Sequence, residues 1–371
     1  MEQFQKCPYA HFVSHGLRLK ERNVFRLEAP DVGQLFHAAI KQIADRVREQ
    51  HLDWKKLSRS ECERLSDEAV ERIAPLIQQQ VLSSSSRYEY MKRKLKNVVT
   101  RTAHVLSEHA RASGFAPVGF ELAFGPGGDL PPLRFQLRDG TVMELVGRID
   151  RVDQAEGSQG VLLRIIDYKS SAKTLDLTEV YYGLALQMFT YLDIVLTYAE
   201  QLVGKPALPA GVLYFHIHNP IIQARQWLDN EMELERKLLE PFRMRGLLLA
   251  DAEAIRLMDS QTANGQWSLI VPAQLTKNGA IHSRSSVASA SDFVALRQHV
   301  RRLFTDIGEQ IAHGVVSIAP YKLKNKTACE FCAFKPVCQF DEALSGNGYR
   351  KLTPQAKDAV IAALAEGEDE K

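Results

Sequence analysis

A chain of 371 residues, 45% of them apolar and 25% charged, is long enough to bury a sizeable core and has the composition of a soluble globular protein. Lys and Arg number 47 against 45 Asp and Glu, and a formal net charge of +2 excludes any global field that would draw in nucleic acid. Apolar runs such as Val161-Leu162-Leu163 are far too short for a membrane span or a signal-peptide core, so the expectation is a soluble, cytoplasmic protein with no membrane partner.

From Asp31 to about His109 apolar residues recur at helical spacing, as in Val32, Leu35, Phe36, Ala39, Ile40 and Ile43, so residues 1–115 read as a helical part. Alternation begins near Pro117, where Val118, Phe120, Leu122 and Phe124 mark one face of a strand that ends in the turn-forming Gly125-Pro126-Gly127-Gly128. Three more strands are predicted, at about Leu133–Leu137, Val142–Val152 and Val161–Tyr168. The turn-like stretch Gln154–Gly160 separates the last two, which gives an antiparallel meander. Helical periodicity returns from about Leu177 to Leu202, and Gly211–His218 reads as a strand. Residues 116–220 thus combine sheet and crossover helix in a layered α/β fold. Residues 229–290 mix charged helix with polar linker and are expected to be an insertion. Phe293–His313 is an amphipathic helix, 320–345 a cysteine-rich segment, and Glu366–Lys371 a disordered tail. There is no internal repeat, and 1–371 reads as a single domain.

Asp150 lies late in one predicted strand, and Asp167-Tyr168-Lys169 ends the next. A short turn between them lets the strands pair, so the two aspartates can lie side by side. Side chains alternate along a strand, so Asp167 and Lys169 share a face and Tyr168 offers only its backbone carbonyl there. Two carboxylates, a carbonyl and an ammonium suit Mg²⁺ or Mn²⁺ and phosphodiester hydrolysis: the cation polarises phosphate and activates water, while Lys169 orients that water or offsets developing charge. An isolated D-x-K at a strand end is otherwise an ordinary solvated ion pair.

Of the five cysteines, Cys329, Cys332 and Cys338 crowd into one short stretch, which fits a metal site in a reducing compartment better than a disulfide framework. Three thiolates at this spacing need a fourth ligand, and ligand count alone does not separate zinc from an iron–sulfur cluster.

Asp150 followed by Asp167-Tyr168-Lys169 on the next strand resembles the core of PD-(D/E)xK nucleases, with Ile149 in place of the motif's proline. Gly33-Gln34-Leu35-Phe36-His37 resembles the upstream G-x-x-x-H of RecB-like nucleases, which implies that His37 is a metal ligand together with Asp150, Asp167 and the Tyr168 carbonyl. Gln187 and Tyr191 share a helix face and resemble the family's Q-x-x-x-Y, which contacts the active site or nucleic acid; ordinary amphipathicity explains the same spacing. Glu121 matches an acidic position of the same family, where the contact with metal runs through water. Cys7-Pro8-Tyr9-Ala10-His11-Phe12, Gly16-Leu17-Arg18-Leu19-Lys20-Glu21-Arg22, Tyr182-Gly183-Leu184-Ala185-Leu186-Gln187 and the distant cysteine triplet are together similar to the iron–sulfur nucleases related to AddB, a component of bacterial AddAB helicase-nucleases. The likeness covers nearly the whole chain.

That resemblance implies a restriction-endonuclease-like fold: a mixed central sheet flanked by helices, with a [4Fe–4S] staple on Cys7, Cys329, Cys332 and Cys338 joining the N- and C-terminal segments. It implies cleavage of single-stranded DNA that leaves a 5′ phosphate, in a bacterial cytoplasm, during double-strand-break repair. The implied partners are an AddA-type helicase-nuclease subunit and a helicase-like region that nothing in this chain matches; Gly204-Lys205 lacks the rest of a phosphate-binding loop. Two competing readings are a catalytically silent DNA- or partner-binding module and an iron–sulfur redox sensor. Lys92, Arg93, Lys94 and Lys96 with Tyr88 and Tyr90 suit single-stranded DNA or simply a solvated helix face.

Overall fold

The computed structural model describes residues 1–22, 24–220 and 231–369. Two short helices, α1 (Glu2–Lys6) and α2 (Pro8–His11), precede three long ones, α3 (Ala29–Glu49), α4 (Arg59–Ile73) and α5 (Ser86–Ala112). Each of the long three starts where the sequence supplies a cap. In α3, Glu28 and Asp31 form a reciprocal capping box; in α4, Ser58 and Glu61 do the same; in α5, Ser85 accepts from the Tyr88 N–H. The apolar stripe of α3, from Leu35 to Val47, is buried as its periodicity predicts.

The strands that follow are β1 (Ala116–Phe124), β2 (Leu133–Gln136), β3 (Val142–Leu145), β4 (Gly147–Gly157) and β5 (Gly160–Lys169). Here the structure departs from the predicted meander. The expected strand Val142–Val152 is broken: β3 pairs with β2 in a separate ribbon, whereas β4 leaves it to pair with β1. Gly147 makes the break feasible, because a Cβ there would lie 2.7 Å from Cζ of Phe124 on the neighbouring strand. The β4–β5 hairpin is also tighter than predicted. Pairing continues through Ala155–Leu162 to Gly157–Gly160 and leaves only Ser158 and Gln159 as the turn.

The predicted long helix after β5 is divided into α6 (Leu177–Tyr181), α7 (Gln187–Thr197) and α8 (Ala199–Val203). Gly183, at φ +73°, turns the chain between the first two. Then come β6 (Ala207–His216), α9 (Glu231–Leu239), β7 (Arg245–Leu249), α10 (Ala252–Met258), β8 (Val287–Ala288) and α11 (Ala290–Ala312). The main sheet runs β1-β4-β5-β6-β7-β8, parallel at β5–β6 and β7–β8 and antiparallel elsewhere, which is a mixed sheet.

The stretch expected as an insertion is therefore corrected in its described part. It extends the sheet by two strands, and Phe242, Met244, Leu248, Ile255, Met258 and Val271 are buried in the core; residues 229 and 230 lie outside the described residues. Its apolar residues sit on short, irregular elements, so no long period announced them.

The C-terminal part holds β9 (Tyr321–Leu323), β10 (Lys326–Thr327), α12 (Lys335–Cys338), β11 (Arg350–Leu352) and α13 (Lys357–Asp369). Helix α13 runs through part of the expected tail; residues 370 and 371 lie outside the described residues. The sheet separates two apolar cores. One lies between the sheet and α3–α5, the other between the sheet and α7, α11 and α13. Among the described residues no helix is long and apolar enough to cross a membrane.

Candidate active site

The β4–β5 register pairs Arg151 with Ile166, and one step further puts Asp150 across from Asp167. At that step the ladder gives way to a side chain, for the Tyr168 N–H donates to Asp150 Oδ2 at 2.8 Å. Asp167 and Lys169 share a face as alternation predicts, with Lys169 Nζ 2.5 Å from Asp167 Oδ2 as an ion pair. Asp167 is fully buried, and neither of its oxygens has an aligned hydrogen-bond partner. Burial and the charge of Asp150 push its pKa up to about 6 against the pull of Lys169. A buried carboxylate left in this state is short of positive charge.

Glu121 faces Asp150 from β1, and its backbone is left-handed, at φ +51°. The kink changes which side of the sheet the strand buries: Phe120 packs towards α3–α5, whereas Leu122 and Phe124 pack in the opposite core. The strain thus sits at the seam between the cores, where it brings a carboxylate into the site. His37 reaches the same point from α3. Its Nδ1 lies 3.3 Å from Asp150 Oδ1 and 3.4 Å from Glu121 Oε1, and its Nε2 donates to the Tyr168 carbonyl at 2.9 Å.

Donor atoms of His37, Glu121 and Asp150 all lie within 4.8 Å of one another, a spacing at which one cation can be shared. Burial of His37 favours its neutral form, but hydrogen bonds and charge from Asp150 and Glu121 outweigh it and raise the pKa to about 10. A cation at this point would balance the same carboxylates. The Tyr168 carbonyl, expected to face the metal, accepts from His37 and fixes the ring so that Nδ1 points at the acids. The donor set, hard oxygens plus one imidazole, fits Mg²⁺ or Mn²⁺.

Helix α7 closes the other side. Gln187 Oε1 accepts from Lys169 Nζ at 3.3 Å, and Gln187 Nε2 donates to the Tyr191 hydroxyl at 2.9 Å, so the predicted helix face lies against the lysine. One participant had no signal in the sequence. Glu2 Oε1 accepts from the backbone N–H groups of Leu186 and Gln187, at 2.7 and 3.1 Å, and so caps the helix that carries Gln187.

Cys7, Cys329, Cys332 and Cys338 line one cavity of about 370 Å³, and Cys62 is buried apart from them in α4. Burial, and then the neighbouring thiols, raise the pKa values of Cys329 and Cys338. Four thiols around one space suit a thiolate-bound metal group. Among the described residues no three of the sulfurs lie within 4.8 Å of one another. The two chain segments are tied nearby, where Arg350 donates to the Gln5 carbonyl and to Gln5 Oε1 and the Tyr9 N–H donates to the Ser317 carbonyl at 3.1 Å. In the basic stretch on α5, Lys92 pairs with Glu71 and Glu89 and Lys96 with Asp67, which partly neutralises it; Tyr90 stays exposed beside Arg93 and Lys94.

A family model for the PD-(D/E)XK nuclease superfamily matches residues 1–339. Among curated proteins, the chain is 92% identical over 370 residues to the B component of the ATP-dependent helicase/deoxyribonuclease of Geobacillus thermodenitrificans (strain NG80-2), a match that covers 100% of this chain and 32% of that protein. Proteins of the same name are 61% identical over 358 residues in Anoxybacillus flavithermus (strain DSM 21510 / WK1), covering 96% of this chain and 31% of that one, and 57% identical over 361 residues in Bacillus subtilis (strain 168), covering 97% and 31%. The chain spans about a third of the length of these relatives. With the motif residues gathered around β4 and β5 and the family match running over most of the sequence, this chain belongs to the PD-(D/E)XK nuclease superfamily.

Proposed function

We propose that this chain hydrolyses phosphodiester bonds of single-stranded DNA, with Mg²⁺ or Mn²⁺ held by His37, Glu121, Asp150 and Asp167. The observation that carries this reading is the buried Asp167 carboxylate across from Asp150, which itself stands beside His37 and Glu121. When bound, the cation polarises the scissile phosphate and lowers the pKa of a water molecule. Asp150 is held in place by the Tyr168 N–H, and His37 by the Tyr168 carbonyl. Lys169, steadied by Asp167 and Gln187, offers its ammonium where negative charge grows on the phosphate, and Tyr191 keeps Gln187 in position. A labelled single-stranded oligonucleotide should be cut with added Mg²⁺ or Mn²⁺ and left intact with a chelator; cutting that persists in chelator refutes the proposal.

The relatives' name joins a helicase to a deoxyribonuclease and marks each of them as one subunit of an assembly. A helicase separates strands, so a nuclease in the same assembly meets single-stranded DNA, and one lettered component implies a companion, here of the AddA type. We place the chain as the nuclease part of such a repair enzyme, next to a helicase-like region. The four cysteines are assigned to a [4Fe–4S] cluster that staples the N- and C-terminal segments. Tetrahedral zinc on the same four thiolates is the alternative.

His37 gives the cation reading a signature in pH. With a pKa of about 10 in the metal-free protein, the ring is protonated at pH 8, and a cation taken up through Nδ1 must displace that proton. Calorimetric titration with Mn²⁺ at pH 8, repeated in buffers of different ionisation enthalpy, should show about one proton released per ion. Heats that do not depend on the buffer would exclude His37 as a ligand. Because the folded pKa lies above the ordinary 6.5, the stability that protonated His37 contributes is complete below pH 6.5 and is lost as the pH rises through 10.

A further inference from the structure

Behind the site, between the sheet and the α3–α5 layer, three charged residues are buried together: Arg151, Asp153 and Arg164. Arg151 Nε donates to Asp153 Oδ1 at 2.6 Å, and Arg164 donates to Asp153 Oδ2 through Nε at 3.0 Å and Nη2 at 2.8 Å. Two guanidiniums share one carboxylate, so the group carries net positive charge in an apolar layer. Buried ion groups of this kind are seldom worth more than well-packed apolar side chains, and stability alone does not account for the second arginine.

What Arg151 touches does account for it. It follows Asp150 on β4. Its guanidinium lies 5.2 Å from the centre of the Phe120 ring, on the residue before the left-handed Glu121, and its Nη1 is 3.5 Å from the Tyr168 hydroxyl. Tyr168 is the residue whose N–H holds Asp150 and whose carbonyl holds His37, and its ring also meets His37 edge-on. One buried side chain on β4 therefore bears on β1 through Phe120 and on β5 through Tyr168, the two strands that flank it.

We propose that Arg151 is the positioning residue of the divalent-cation site: through Phe120 and Tyr168 it sets where Glu121, Asp150 and His37 stand before an ion arrives. The proposal rests on the reading of those three residues as cation ligands. It gives the buried triad a purpose, with Asp153 and Arg164 bracing the guanidinium so that it cannot swing away from Phe120 and Tyr168. Groups behind a metal's direct ligands commonly matter by about 10–100-fold in affinity.

The test is Mn²⁺ binding to the metal-free full chain, followed by calorimetry or by loss of the free-ion electron paramagnetic resonance signal, in Arg151→Met, Tyr168→Phe and Asp150→Asn. Circular dichroism melts run alongside. Arg151→Met should bind Mn²⁺ about tenfold more weakly while still melting cooperatively, because Asp153 keeps its two-pronged partner Arg164. Tyr168→Phe, which deletes only a hydroxyl, should show a smaller loss in the same direction, and it decides the matter if Arg151→Met does not fold. Folded variants that bind Mn²⁺ as tightly as wild type while Asp150→Asn does not would overturn the positioning role. Wild-type affinity in Asp150→Asn would instead remove the cation site on which the role depends.

Discussion

Asparagine in place of Asp167 is expected to abolish cleavage, by about 10³-fold or more, in a protein that melts at or above the wild-type temperature. Both halves of this expectation come from one side chain. The carboxylate is fully buried, has no aligned hydrogen bond to either oxygen and stands across from Asp150, so its charge is costly even with Lys169 beside it. Asparagine keeps the shape and removes the charge. It forfeits the ion pair with Lys169, but that ammonium is partly solvated and tolerates the loss.

The sign of the pH dependence follows. Asp167 is raised from 3.8 to about 6, so its protonated form favours the fold, and wild type loses that contribution as the pH climbs through 6. The melting advantage of Asp167→Asn in chelator should therefore be absent near pH 3.8 and complete above pH 6. Oligonucleotide cleavage with Mn²⁺ and thermal melts across that range measure both parts. A variant that still cuts, or one whose melting point falls at neutral pH, would contradict this account of the residue.

The second large effect is expected at the cysteines. Cys332→Ala should lose iron, acid-labile sulfide and visible absorbance, and should melt several degrees below wild type. Cys7 and Cys329 lie almost a chain length apart, so bonds through a shared cluster close a very long loop. By analogy with cross-links, closing even a 100-residue loop is worth about 4–5 kcal/mol, and the logarithmic dependence adds little for longer ones. Part of the closure survives the mutation, since Arg350 holds Gln5, Tyr9 meets Ser317 and Phe4 is buried in the core. A lowered melting point, not an unfolded chain, is therefore the expected result. Zinc in place of iron in the wild-type protein would show that the wrong metal group had been assigned.

Features written in local periodicity were legible in the sequence. The apolar stripe of α3 needed only neighbouring letters, and the facing of Asp150 and Asp167 followed from a hairpin, whereas the single apolar face expected for β1 is split, with Phe120 in one core and Leu122 and Phe124 in the other. The shared face of Asp167 and Lys169 followed from strand alternation. What long-range packing decides was not legible. Nothing in Val142–Val152 marks the break before Gly147, which depends on Phe124 of another strand. The left-handed turn at Glu121 depends on two cores competing for the flanking residues, and no local pattern marks it. Glu2 acts on residues more than 180 positions away and has no local mark at all. The apolar residues of β7, α10 and the loop after it are spaced irregularly, which is why a part of the sheet read as an insertion.

The seam between the two cores has a consequence for the making of the protein. His37 arrives with the first helical layer, the acids with the strands, and the support for Lys169 with α7, whose packing partner α11 is synthesised much later. Chains fold from the N-terminus as they leave the ribosome, so a half-made molecule has the imidazole and lacks the wall behind the lysine. A chain cut short before α7 would therefore carry Lys169 without Gln187 to steady it.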